Sequence, residues 1–165
     1  MKEPTEVIDD NFNVLKVVPR KEIIDKNLKH KTVLIIVKNN KNQIYAAQRK
    51  HTKKIFPLKW IVGAGGAVNA NESFEEAAKR ELKEELGFIS EIKYIFDFDY
   101  DAEFNNYKAR VYFTIYNGKI ILNNKEFEQG KWVSVKELKK MIKNKLLCPD
   151  TAQFTRKYLD KFYKK

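Results

Sequence analysis

Three glutamates, Glu81, Glu84 and Glu85, crowd the end of a charged segment that runs from Ser73 to Gly87. Arg80 precedes them, an isolated Glu72 lies upstream, and the cluster Gly63-Ala64-Gly65-Gly66 lies upstream of that. At about 100° per residue in a helix, the three carboxylates share one narrow sector, beside an apolar stripe of Phe74, Leu82 and Leu86 that would seat the helix on a sheet. Like charges at these spacings repel by roughly a few tenths of a kcal/mol per pair, so the cluster makes physical sense when cations sit among them. Oxygen-only ligands at that density suit Mg²⁺ or Mn²⁺, with water and substrate phosphate completing the shell. Arg80 reaches Glu84 or Glu76 one turn away, or Glu72 in the loop, and reads as the group that orients the carboxylates. The glycine turn carries no side chain beyond Ala64. Its backbone can therefore approach a metal or a phosphate closely, which makes Gly65 and Gly66 candidate contacts and Gly65 a candidate metal ligand. The bland alternative, a solvated acidic face, does not explain why these features recur at fixed offsets.

These elements must be positioned by a sheet. Val7 to Val18 reads as a hairpin around an Asp-Asn turn, closed by Pro19, and residues 21 to 29 contain one or two helical turns. Thr32 to Val37 is a β-branched run suited to a strand buried on both faces, and Gln43 to Arg49 follows it after a polar turn. Trp60 to Val62 forms a strand, the glycines a turn, and Ser73 to Leu86 a helix ended by Gly87. Lys93 to Asp101 alternates with one aromatic face, Arg110 to Tyr116 and Lys131 to Val133 add strands, and helices cover Val135 to Asn144 and Asp150 to Tyr163. The class is α+β, and the organisation is a single domain over residues 1 to 165.

Residues 66 to 88 match every defined position of the Nudix box: Gly66, five residues, Glu72, seven residues, then Arg80-Glu81-Leu82-Lys83-Glu84-Glu85-Leu86-Gly87-Phe88. The chain thus resembles the Nudix hydrolases. The resemblance implies an α/β/α sandwich with a mixed central sheet, an N-terminal β-hairpin and C-terminal helices. It further implies divalent metal on Glu81, Glu84 and Glu85, organising roles for Arg80 and Glu72, and hydrolysis of a diphosphate linkage in a small organic diphosphate. The general base is Glu81 or a residue outside the box. Of Glu126 and Glu128, Glu126 matches better by its spacing to Trp132.

The likeness extends to Arg20, to His30, to Ala46-Ala47-Gln48-Arg49-Lys50 and to Phe56-Pro57-Leu58-Lys59-Trp60, which are similar to the branch that contains isopentenyl diphosphate isomerase. That isomerase needs a cysteine and a metal-binding histidine where this chain has Gly65 and Ala67, and Asn105-Asn106-Tyr107-Lys108 occupies the region of its acid pair. Hydrolysis is therefore expected over isomerisation. His30 is either a relic ligand or a structural residue. The run Arg49-Lys50-His51-Thr52-Lys53-Lys54 either contacts substrate phosphates, with Arg49 the candidate, or is a solvated loop.

Composition limits the remaining classes. With 43% apolar and 13% aromatic residues, the 165-residue chain can bury a core and is not disordered. No apolar run spans a bilayer and the start MKEPTEVIDD lacks a secretory layout, so a cytoplasmic protein is expected. The lone Cys148 is a packing residue. Lys plus Arg number 33 against 22 acids, a formal charge of +11, but the lysines are dispersed and form no block, so nucleic acid is not expected as a partner. The competing class is a silent nucleotide- or RNA-binding module whose charge supplies the contact surface. A homodimer through the hairpin or the aromatic strand stays open, as does a role for Phe98, Tyr100 and Phe104 in base stacking rather than in the core.

Overall fold

In the computed structural model, residues 3 to 164 are described; Met1, Lys2 and Lys165, which the single-domain expectation includes, lie outside them. The chain opens with the expected hairpin, β1 (Pro4–Ile8) and β2 (Val14–Pro19), paired antiparallel. Asp9 shapes its turn by accepting the amides of Asn11 at 2.8 Å and Asn13 at 2.9 Å. A short helix α1 (Arg20–Asp25) follows and buries Ile23 against Val7 and Val18.

The apolar run becomes β3 (His30–Lys38), the axis of the molecule. β4 (Ile44–Arg49) and β5 (Trp60–Val62) extend the sheet from it. The glycine cluster differs from the expected turn. Only Gly63 turns, at φ +68°, while β6 (Ala64–Ala67) is a strand paired antiparallel with β3, Leu34 opposite Gly65 and Val33 opposite Gly66. Glycines have low strand propensity, and β3 supplies the long-range partner that overrides it.

Helix α2 (Phe74–Glu81) begins at Ser73 in a complete capping box with Glu76. Its expected continuation to Leu86 is present with a changed geometry, because Leu82–Leu86 forms a π turn that ends at Gly87 with φ +77°. The segment before Glu126 explains this. Ile121 donates its amide to Leu86 O at 3.0 Å, and Asn123 donates its amide to Glu85 O at 2.9 Å and its Nδ2 to Glu84 O at 3.2 Å. The carbonyls at the helix end are thus satisfied from outside it.

β7 (Lys93–Ala102) and β8 (Asn105–Ile115) form a long hairpin, and β8 runs parallel to β3 over its whole length. β8 starts five residues earlier than expected. Its polar first residues, Asn105 and Asn106, carry no apolar signal, yet they pair with Ala102 and Asp101 across the hairpin. β9 (Phe127–Val133) likewise starts before Lys131 and pairs with β4. The chain ends with α3 (Val135–Lys143) and α4 (Pro149–Phe162).

One mixed sheet thus separates two cores. On one face Val33, Ile35 and Val37 pack against Ala77, Ala78, Leu82 and Leu86 of the acidic helix. On the other, Ile36, Val62, Phe96, Phe98 and Val111 pack against Leu138, Met141, Phe154 and Tyr158 of the C-terminal helices. This is an α+β fold, a sandwich of helices on both faces of a mixed sheet. No helix among the described residues is long and apolar enough to cross a membrane.

Candidate active site

Arg80 is the hub of the acidic segment. Its Nε donates to Glu72 Oε1 at 2.7 Å and its Nη2 to Glu72 Oε2 at 2.8 Å, a two-pronged pair that ties the helix to the preceding loop. Nη2 also donates to the Ala67 carbonyl at 3.0 Å, and Nη1 to Glu81 Oε1 at 2.6 Å, with Glu84 Oε2 at 3.4 Å. Glu72 in turn accepts the Asn69 amide at 2.9 Å. Burial raises the Glu72 pKa, but the bonds from Arg80 and Asn69 outweigh it and hold the carboxyl below the ordinary range.

The three glutamates do not share one environment. Glu81 is buried, and a Cβ at position 66 would run into its carboxyl group, so this close approach requires glycine at Gly66. Burial pushes the Glu81 pKa up, and Arg80 only partly offsets this. Glu85 points under β6 and accepts the Gly65 amide at 3.0 Å. Burial, then the charge of Glu81, push its pKa well above the carboxylate range, with Glu126 adding to the shift and the Gly65 amide opposing it. Glu84 turns outward, its side chain 57% exposed. An α-helical wheel puts all three in one sector. The π turn swings Glu85 inward and leaves Glu84 at the rim, as such insertions do at functional sites.

A cavity of about 450 Å³ opens beside Glu85 and β6. Glu126 lines it and forms an ion pair with Lys53. Glu128 is instead engaged by the amide and ring of His51 and by Lys50 at 3.5 Å. The spacing to Trp132 therefore chose the acid that faces the cavity. Arg49 also lines the cavity, but its Nε and Nη2 donate to the Ile55 and Phe56 carbonyls at 2.9 to 3.2 Å, so its first task is to hold the loop of residues 50 to 59. Gly66 lines the same wall as Gly65.

Of the rest of the cavity lining, the sequence offered Tyr100 and Phe104 as stacking aromatics but gave no sign of Asp150. Tyr107 Oη donates to Asp150 Oδ2 at 2.9 Å, where β8 meets the start of α4. Phe104 and Phe56 meet edge to face at 6.2 Å on its lining, whereas Phe98 belongs to the core. Lys53 was present only as one member of a basic run. Asp150 had no signal, since only the fold brings it beside Tyr107. His30 is buried, with Nδ1 2.9 Å from the Leu28 carbonyl, and burial followed by the charge of Arg20 pushes its pKa down to about 4. Burial pushes the Cys148 thiol up to about 12, which keeps it protonated and inert.

Among the described residues no three His, Cys, Asp or Glu side chains converge as a closed metal cage. Mg²⁺ does not require one, since it keeps several waters and takes one or two carboxylates plus substrate phosphate. Glu85 fits that role. It offers carboxylate oxygens, and its ionised form is penalised by burial and by two neighbouring carboxylates, the penalty a divalent cation would relieve. Because the Gly65 amide leaves the ladder towards Glu85, its carbonyl faces the same side of the strand.

Fold and site together define a class, an α/β/α sandwich in which an acidic helix end packs against a glycine strand beside a cavity. The description of the NUDIX domain matches residues 28–158, so the chain belongs to the Nudix family and is a Nudix hydrolase. It is 26% identical over 154 residues to an uncharacterised Nudix hydrolase of Pseudomonas aeruginosa, covering 93% of this chain and 91% of the relative. It is also 29% identical over 149 residues to an isopentenyl-diphosphate Delta-isomerase of Photorhabdus laumondii, covering 87% and 84%. The fold is shared with a Deinococcus radiodurans crystal structure at TM-score 0.83 and 23% identity, over 94% of this chain and 98% of that one. It is shared too with the Nudix domain of Shewanella oneidensis NrtR in complex with ADP ribose, at TM-score 0.66 and 16% identity, over 87% and 99%.

Proposed function

We propose that this protein hydrolyses the diphosphate linkage of a small organic diphosphate with the help of Mg²⁺ or Mn²⁺. The observation that carries the reading is Glu85, a desolvated carboxylate beside Gly65 in a cavity that also holds Glu126 and Lys53. Glu85 and Glu81, with Glu84 at the rim, would hold the cation, joined by the Gly65 carbonyl. When bound, it neutralises phosphoryl oxygens and lowers the pKa of a coordinated water. Glu126 accepts a proton from the attacking water as its oxygen bonds to phosphorus and the bridging P–O bond breaks. Lys53 pairs with Glu126 and adds positive charge near the phosphates. Arg80 and Glu72 fix the helix and loop, and Arg49 shapes the cavity rim. The substrate's organic group extends towards Tyr107, Asp150 and the Phe56–Phe104 pair.

The isomerase relative makes isomerisation the second reading. Gly65 and Ala67 stand where that chemistry needs a cysteine and a histidine, and the intact box favours hydrolysis. The test is Mg²⁺- and Mn²⁺-dependent release of phosphate or nucleotide from a panel of nucleoside di- and triphosphates, nucleotide sugars, ADP-ribose and prenyl diphosphates. Metal-dependent turnover that collapses in Glu85→Gln supports the proposal, and an acid limb of kcat/KM lost in Glu126→Gln supports the base. Isopentenyl diphosphate converted without phosphate release would establish the isomerase, and salt-sensitive RNA binding without turnover the binding module.

A further inference from the structure

We infer that Arg20 anchors a phosphoryl group of the substrate, a contact that rests on the diphosphate reading of the cavity. Arg20 lines the same cavity as Gly65, Gly66 and Glu85, but comes from a different element, the junction between β2 and α1. Among the described residues its guanidinium makes no hydrogen bond, and Nη1 is shut off from solvent with no partner at all. No carboxylate of the described residues lies within 4 Å of it. The acid whose charge it feels most is Glu81, which is already bonded to Arg80 at 2.6 Å.

A guanidinium stays protonated at any physiological pH, so burial leaves a desolvated cation without a counter-ion. The other four arginines are placed differently. Arg80 is fully engaged, Arg49 holds loop carbonyls, Arg110 lies over the Phe74 ring at 4.6 Å, and Arg156 is exposed. The neighbour His30 is kept neutral by burial and by Arg20 itself, and offers no compensating charge.

The backbone beneath Arg20 is well fixed. Pro19 precedes it at φ −59°, its amide donates to the Glu3 carbonyl at 3.1 Å, and Ile23 one turn on is buried. A rigid mount that presents an unpaired planar fork to a cavity matches two oxygens of a tetrahedral phosphoryl group. The carboxylates and their cation then hold one part of the diphosphate, and Arg20 adds a second contact from α1.

The test compares the full-length protein with Arg20→Gln and Arg20→Lys. Binding of methylenediphosphonate, a diphosphate analogue that cannot be hydrolysed, is measured by calorimetry with Mg²⁺ present, and melting temperatures without ligand. Arg20→Gln is expected to bind at least about thirtyfold more weakly, with a ligand-free melting temperature equal to or above that of the native protein. Arg20→Lys, which keeps a point charge and loses the fork, should fall between the two. For any diphosphate that is turned over, the loss should appear in KM more than in kcat. Unchanged affinity in Arg20→Gln overturns the assignment, as does a native protein that does not bind the analogue. A loss of affinity accompanied by a lower ligand-free melting temperature makes Arg20 a structural post, and also overturns it. A native protein that binds the analogue through Arg20 and turns over no diphosphate removes the hydrolase reading and leaves the anion site standing.

Discussion

Arg80, on the acidic helix, and Arg20, at the start of α1, live in opposite electrostatic conditions. Arg80 bonds to two carboxylates and a carbonyl and has a third carboxylate at 3.4 Å. The Arg20 guanidinium has no hydrogen-bond partner among the described residues. Glu72 and Glu85 repeat the contrast among the acids, the first pulled below the ordinary carboxylate range by its partners and the second pushed well above it by burial and like charge. Completed pairs hold the scaffold together. Uncompleted ones, tolerated at a cost in stability, mark where ligand charges belong.

The largest effect expected from that contrast is at Glu85. Glu85→Gln should lower metal-dependent turnover by about a hundredfold or more, while raising the melting temperature of the metal-free protein at neutral pH. The sign follows from the raised folded-state pKa. The stability associated with Glu85 is fully present below its unfolded value of about 4.3 and is lost as pH rises through the higher folded value, so the variant's advantage should widen from about pH 4.5 upwards. Melting curves across pH 4 to 8 without metal check this, and a variant less stable than the native protein at neutral pH would break the contrast.

Arg80→Met should act in the other direction. Removing the hub strands the half-buried Glu72 and the buried Glu81, which costs about 3 kcal/mol and lowers the melting temperature by roughly 10 °C. An unchanged melting temperature there would erase the distinction between the two arginines. Gly66→Ala sharpens the comparison by displacing the Glu81 carboxyl group while leaving every charge in place. A fall in turnover of about tenfold with little change in melting temperature is expected. The smallest effect is expected at the far end of the cavity. Tyr107→Phe removes one hydrogen bond to Asp150 and should cost about 1 kcal/mol in denaturant unfolding.

Local pattern was enough for much of this molecule. The hairpin at Asp9, the β-branched strand of β3, the helix start at about Ser73 and the Gly87 stop are written in neighbouring residues, and the structure places each of them as expected. The pairing of Arg80 with Glu72 was also readable, because eight residues of loop and helix separate them and the geometry is nearly local. The strand character of Gly65 and Gly66, the early start of β8 and the π turn were not. Each is imposed by a partner distant in sequence: β3, β7 and the Ile121–Asn123 segment respectively.

Sequence alone therefore determined the family, the sheet-and-helix order and most of the charged residues proposed to carry the chemistry, since spacing within a helix or strand depends on short-range geometry. Only the tertiary structure decided how those charges differ. It turned Glu85 inward and Glu84 out, and left the Arg20 guanidinium without a hydrogen-bond partner on the cavity. The physical reason is that desolvation and pairing depend on what the rest of the chain packs around a group, and residue spacing carries no record of that.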